Sequence, residues 1–153
     1  MNADGHQFLR LQRIFRAPAE RVFKALIDPG AIVKWLPPHG FTGHFDRFEA
    51  KIGSGYRMSF TNLGSGQSHW FECLFTEINA PTRLVYKSWF EGQDPASAMH
   101  VELNLRPVLC GTELCLEQAR IPAQIPLEYC YAGWQESLQL LALLVEADLP
   151  ADV

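Results

Sequence analysis

The sequence is short of charge of one sign. Its 13 Lys and Arg stand against 17 Asp and Glu, a formal net charge of −4. A basic face that would neutralise a row of phosphates is missing, which excludes duplex nucleic acid as a partner. A polybasic stretch for anionic lipid is missing too. Long apolar runs are absent: the longest leucine-rich run, Leu138 to Val145, is broken by Gln139. It falls far below the ~20 residues of a membrane span, and the polar start from Met1 to His6 holds no apolar signal region. The expectation is a cytoplasmic protein without membrane insertion. Cysteines are few, at Cys73, Cys110, Cys115 and Cys130. No Cys-x-x-Cys occurs and no Cys–His spacing suits zinc, so free thiols and no metal are expected. Catalytic signatures are also lacking: no Gly-x-Ser-x-Gly, no phosphate-cradling loop, no His-Glu-x-x-His. Gly53-x-Gly55 lacks the remainder of a dinucleotide fingerprint and opens a strand instead of a helix. No cofactor is expected, and an enzymatic role has no motif beneath it.

What is present is apolar and aromatic. Residues of the AVILMFWYC set make up 48% of the 153-residue chain, enough to build one core. The chain reads as a single domain, 1–153, with its core in about 9–146. Ten Phe, four Tyr and four Trp admit two readings: a large filled core, or a core with a hole in it.

Proline and glycine cut the chain into short pieces. Leu9 to Phe15 alternates like a strand. Pro18 opens a short amphipathic helix over Ala19 to Ile27, and Asp28-Pro29 opens a second that ends near Trp35, before Pro37-Pro38. A strand over His44 to Ala50 precedes the Gly53 turn. Tyr56 to Thr61, His69 to Ile78, Leu84 to Phe90, Val101 to Arg106 and Thr112 to Ala119 read as further strands, the first two joined by a turn at Asn62 to Gly66. From Pro126 to about Glu146 the period becomes helical, with Cys130, Trp134, Leu138, Leu141 and Val145 on one stripe and Leu140, Leu143 and Leu144 widening it. Segregated helices and consecutive strands predict an α+β fold: a curved antiparallel sheet of about seven strands wrapped around the long C-terminal helix, with two short helices after the first strand.

Several stretches resemble one superfamily. Arg16-Ala17-Pro18-Ala19-Glu20-Arg21-Val22-Phe23-Lys24-Ala25-Leu26, followed by Asp28-Pro29 and Trp35, resembles the opening of the SRPBCC (START and birch-pollen-allergen-like) proteins. The form is nearest the branch named for its likeness to the C-terminal domain of the activator of the heat-shock chaperone ATPase. Gly53-Ser54-Gly55-Tyr56 resembles its Gly-Gly-aromatic lead into a strand. Glu77-Ile78-Asn79-Ala80-Pro81-Thr82-Arg83-Leu84 resembles its Glu-Ile-x-x-Pro-x-x-Leu turn. Gly111-Thr112-Glu113-Leu114 and Gly133-Trp134-x-x-x-Leu138 resemble its last strand and helix. The set runs in order from Leu9 to Glu146. It implies the helix-grip fold and a hydrophobic cavity between sheet and long helix. Members bind lipids, sterols, plant hormones or polyketides, some are cyclases or dehydratases, and one branch stimulates the chaperone's ATPase. Two residues depart from the pattern: Gln118 stands where close relatives often carry a histidine, and Ser54 replaces one glycine of the Gly-Gly pair.

Three groups are candidate sites. Tyr56, Met58, Phe60, Phe71, Cys73, Phe75, Leu103, Leu105, Leu116, Trp134, Leu138 and Leu141 fall on inferred inner faces, where they either fill the core or line a cavity. A polar group lies nearby. If Phe48 and Ala50 face inward, period two turns His44 and Asp46 inward as an acid–base pair, with Gln118 and the Tyr56 hydroxyl to orient a ligand. If Phe45 faces inward instead, His44 and Asp46 meet solvent. Trp35, Leu36, Pro37, Pro38, His39 and Phe41 form the third group, either the lip of a pocket or a rigid loop packed on the helix end. His6, His69 and His100 are expected to face water.

Three functions compete. The first is a protein that binds a lipid-, sterol- or polyketide-like small molecule in the cavity. The second is a cyclase- or dehydratase-type enzyme using His44 and Asp46. The third is a module that acts on the chaperone through its surface, which the resemblance alone suggests. Trp70, Leu74 and Trp89 on the outer strand faces would suit a homodimer.

Overall fold

The structure, a computed structural model, describes residues 5–152. The chain runs β1 (Gln7–Phe15), α1 (Ala19–Ile27), α2 (Pro29–Trp35), β2 (Phe41–Phe48), β3 (Gly55–Asn62), β4 (Ser68–Asn79), β5 (Arg83–Phe90), β6 (Met99–Val108), β7 (Gly111–Ile121) and α3 (Leu127–Val145). Consecutive hairpins lay β2 to β7 side by side, and β1 pairs with β7, so the antiparallel sheet reads β1-β7-β6-β5-β4-β3-β2. α1 and α2 therefore carry the chain from one edge of the sheet to the other. Among the described residues no helix is long and apolar enough to cross a membrane.

Local chemistry sets the boundaries. Pro18 sits just outside α1, one residue ahead of the helical position expected for it. Asp28 caps α2, its carboxylate accepting from the Ala31 N–H at 3.1 Å, and Pro29 takes the first helical position. In the β3–β4 turn the Asn62 side chain accepts from the N–H groups of Gly64 and Ser65 at 2.9 and 3.0 Å.

The lead into β3 shows why Ser54 is accepted. Gly53 has φ +85°, where a side chain is strained, and a Cβ on Gly55 would lie 1.8 Å from the Cys73 carbonyl oxygen. The backbone demand falls on Gly53 and Gly55, and Ser54 between them escapes it.

All seven non-aromatic members of the inferred inner-face set are buried core: Met58, Cys73, Leu103, Leu105, Leu116, Leu138 and Leu141. Phe75 joins them at 1% exposure. The C-terminal half of α3 presses Leu138, Leu141, Ala142 and Val145 into this core. α1 adds Val22, Phe23 and Leu26, and the Arg21 guanidinium donates to the Val145 carbonyl at 3.0 Å, tying α1 to the end of α3. Leu143 departs from the expected wide apolar face, being 72% exposed. The helix needs only one stripe against the sheet, and Leu143 points off it.

Candidate functional site

The N-terminal half of α3 is built differently from its C-terminal half. The residues it turns toward the sheet at one stripe are Cys130, Gly133 and Ser137, all small, with Trp134 beside them. Small side chains leave the space in front of the helix unfilled, and an apolar cleft of about 370 Å³ lies between it and the sheet. Its sheet wall is Phe60 of β3, Phe90 of β5, Met99 of β6 and Gln118 of β7. Leu36 and Pro38, from the segment after α2, close one side. A smaller extension of about 160 Å³ shares these walls and reaches Tyr56, Phe71, Tyr86 and Val101.

The closing segment is fastened to α3 at two points. The Ser137 hydroxyl donates to the Leu36 carbonyl at 3.0 Å. The His39 N–H donates to the Glu136 carboxylate. These contacts hold Leu36 and Pro38 against the helix that forms the opposite wall.

One polar side chain crosses from sheet to helix within the cleft. Gln118 is 8% exposed, and its Oε1 accepts from the Trp134 indole N–H at 2.7 Å. Its Nε2 lies 3.3 Å from the Met99 sulfur. The tyrosine hydroxyls deeper in, on Tyr56 and Tyr86, are pushed above the ordinary tyrosine range, chiefly by burial. Burial likewise raises the Cys73 thiol. At neutral pH these groups stay uncharged, and the interior is electrically quiet.

Of the candidate residues read from the sequence, Tyr56, Phe60, Phe71, Gln118 and Trp134 come together on this cleft. Met58, Cys73, Leu103, Leu105, Leu116, Leu138 and Leu141 line neither part of it and are buried in the hydrophobic core. Trp35 corrects the expectation of an aromatic lip. It is 3% exposed, and its indole N–H donates to the Ala25 carbonyl at 2.8 Å, locking α2 to α1. Phe41 belongs to β2 and lines neither part of the cleft. Leu36 and Pro38, from the same group, are the residues that do close it.

For His44 and Asp46 the structure decides between the two orientations in favour of Phe45 facing inward. A bulge between Phe45 and Arg47 puts an extra residue into β2 opposite β3. It breaks the two-residue period, so Phe45 and Phe48 both turn inward, 5.1 and 5.6 Å from the Tyr56 ring. His44 and Asp46 are left exposed on the outer face. There His44 meets the edge of Trp70 and Asp46 pairs with Arg57 at 3.2 Å, so the two do not act together on the cleft. Among the described residues no group of three His, Cys, Asp or Glu could hold a metal ion.

Met99, Phe90, Tyr86 and Ser137 are not singled out by sequence reasoning, and Gly133 enters only through the Gly133-Trp134-x-x-x-Leu138 resemblance. A signal for two of them existed: Cys130, Gly133 and Ser137 recur at three and four residues along an otherwise bulky helix, the pattern of a face with space in front of it.

Comparison with known proteins agrees with this architecture. No match was found among curated proteins. A crystal structure of a protein from Chromobacterium violaceum is similar to this chain at 41% identity and TM-score 0.87, over 93% of this chain and 99% of that one. A crystal structure from Rhodobacter sphaeroides is 23% identical with TM-score 0.79, over 94% of this chain and 95% of that one. A solution structure of an AHSA1-like protein from Aeromonas hydrophila is 20% identical with TM-score 0.76, over 92% of both. The two more distant likenesses speak for the fold alone. The family profile described as Activator of Hsp90 ATPase homolog 1-like protein matches residues 16–146, from the segment before α1 to the end of α3. With that match spanning both short helices, all strands from β2 on and the gripped helix, the chain belongs to the Activator of Hsp90 ATPase homolog 1-like family.

Proposed function

We propose that the protein binds an apolar small molecule in the cleft between the N-terminal half of α3 and the sheet. The observation that carries this reading is the stripe of Cys130, Gly133 and Ser137, which leaves unfilled a space walled by Phe60, Phe90, Met99 and Trp134. A packed core would fill that stripe with Leu or Ile. The volume of about 370 Å³ lies at the small end of the range for small-molecule sites, ~300–1,000 Å³. Small fused-ring or acyl compounds suit it better than bulky ones.

A thermal-shift screen against fatty acids, sterols, flavonoids and aromatic polyketides, on protein stripped of co-purified lipid, tests the reading. A ligand at ~100 times its Kd adds ~2.7 kcal/mol. At ~2–4 °C per kcal/mol for a chain of this size, the Tm rises by several degrees. A flat response across all four classes contradicts the proposal.

A further inference from the structure

The buried amide of Gln118 has one end fixed by a strong donor and the other held only by a weak acceptor. An indole N–H can only donate. The 2.7 Å contact from Trp134 Nε1 therefore assigns the oxygen end of the amide to Trp134. The Nε2 end is turned toward Met99, whose sulfur is 3.3 Å away. A thioether is a weak acceptor and takes at most one of the two N–H bonds. Among the described residues no second acceptor bonds Nε2, and Gln118 lines the cleft, where a ligand can reach it. A buried donor in this state is costly until an acceptor reaches it. The rest of the lining sets the charge of that acceptor. Among the described residues that line either part of the cleft there is no Asp, Glu, Lys, Arg or His. Nothing there would offset the loss of hydration of a charged group.

We infer that Gln118 Nε2 anchors a neutral hydrogen-bond acceptor, and that the ligands of the cleft are uncharged apolar carbonyl compounds such as aryl ketones, aldehydes or lactones. Trp134 is a positioning residue in this arrangement, since it decides which end of the amide meets the ligand. The inference rests on the cleft being a ligand site, and its test separates the two.

Isothermal titration of the full chain with three probes of one skeleton provides that test: acetylnaphthalene, ethylnaphthalene and naphthoate. Acetylnaphthalene binds about fivefold to tenfold tighter than ethylnaphthalene, the worth of one net hydrogen bond, and naphthoate binds weakest. In Gln118→Met, which keeps the side-chain length and loses both donors, the two neutral probes bind alike. Should that variant fail to fold, the wild-type side-chain amide signal of Gln118 decides by NMR: it moves with acetylnaphthalene and not with ethylnaphthalene. Equal affinity of the neutral probes for the wild type overturns the anchor while leaving the cleft as a binding site. Tightest binding by naphthoate overturns the neutral class. No binding by any of the three overturns the cleft reading and the anchor with it.

Discussion

Single residues carry sharply different loads in this fold. Gly55 admits no side chain, because a Cβ would overlap the Cys73 carbonyl oxygen of the neighbouring strand. Gly55→Ala should cost more than ~3 kcal/mol by urea denaturation, while Ser54→Gly next to it stays within ~0.5 kcal/mol. Trp35 and Trp134 make the same kind of indole hydrogen bond in different places, one in the core and one across the cleft. Trp35→Phe leaves the Ala25 carbonyl without its donor and should lower stability by ~1–3 kcal/mol with no change in probe affinity. His100 is the titrating residue to watch. Its pKa is lowered by partial burial first and then by Lys87 and Arg120. The unfolded chain therefore takes up that proton more readily than the folded one. Stability contributed by the neutral form is lost as pH falls through the ordinary histidine value of ~6.5, levelling off once the folded pKa is passed. A His100→Gln variant should show a flatter stability profile across that window than the wild type.

At the scale of elements, α3 divides into an anchoring half and a spacing half. Leu138, Leu141 and Val145 hold the helix down, and Cys130, Gly133 and Ser137 leave room in front of it. A Cβ on Gly133 meets nothing within 4 Å. Gly133→Ala should therefore stabilise the protein by up to ~1 kcal/mol through helix propensity. Gly133→Leu projects a larger side chain into the cleft and should abolish probe binding while the Tm without ligand stays near that of wild type. Loss of binding together with loss of fold would contradict the division. This is also the scale at which the sequence was most readable. The helix starts at Asp28-Pro29, the turn at Asn62 and the long C-terminal periodicity rest on local chemistry, and each appears where expected. β2 was not readable in the same way. Its bulge at Asp46 depends on the cross-strand register with β3, which alternation along one strand cannot reveal, and it decides between the two orientations open to His44 and Asp46. Within the site, Gln118 and Trp134 were legible as an unusual polar residue and an aromatic on facing elements. The division between residues that line the cleft and those that fill the core was not, because both are apolar and inward.

At the scale of the whole molecule, the sheet has two unlike faces. The concave face carries the core and the cleft. The outer face carries Trp70 stacked under the Arg57 guanidinium at 3.9 Å, with Arg57 paired to Asp46 and Glu91 and Arg47 paired to Glu72. Trp70, one of the side chains that would suit a dimer surface, is thus partly roofed by an arginine held in ion pairs, most of them solvent-exposed and individually worth little. The central claim is that ligand recognition belongs to the concave face, and an amide NMR titration with acetylnaphthalene tests it most directly. Shifts should cluster on Cys130, Gly133 and Ser137 of α3 and on Met99 and Gln118 of the sheet, with the Trp134 indole signal moving alongside them. Shifts gathered on the outer face around Trp70, or none at saturating probe, would contradict it.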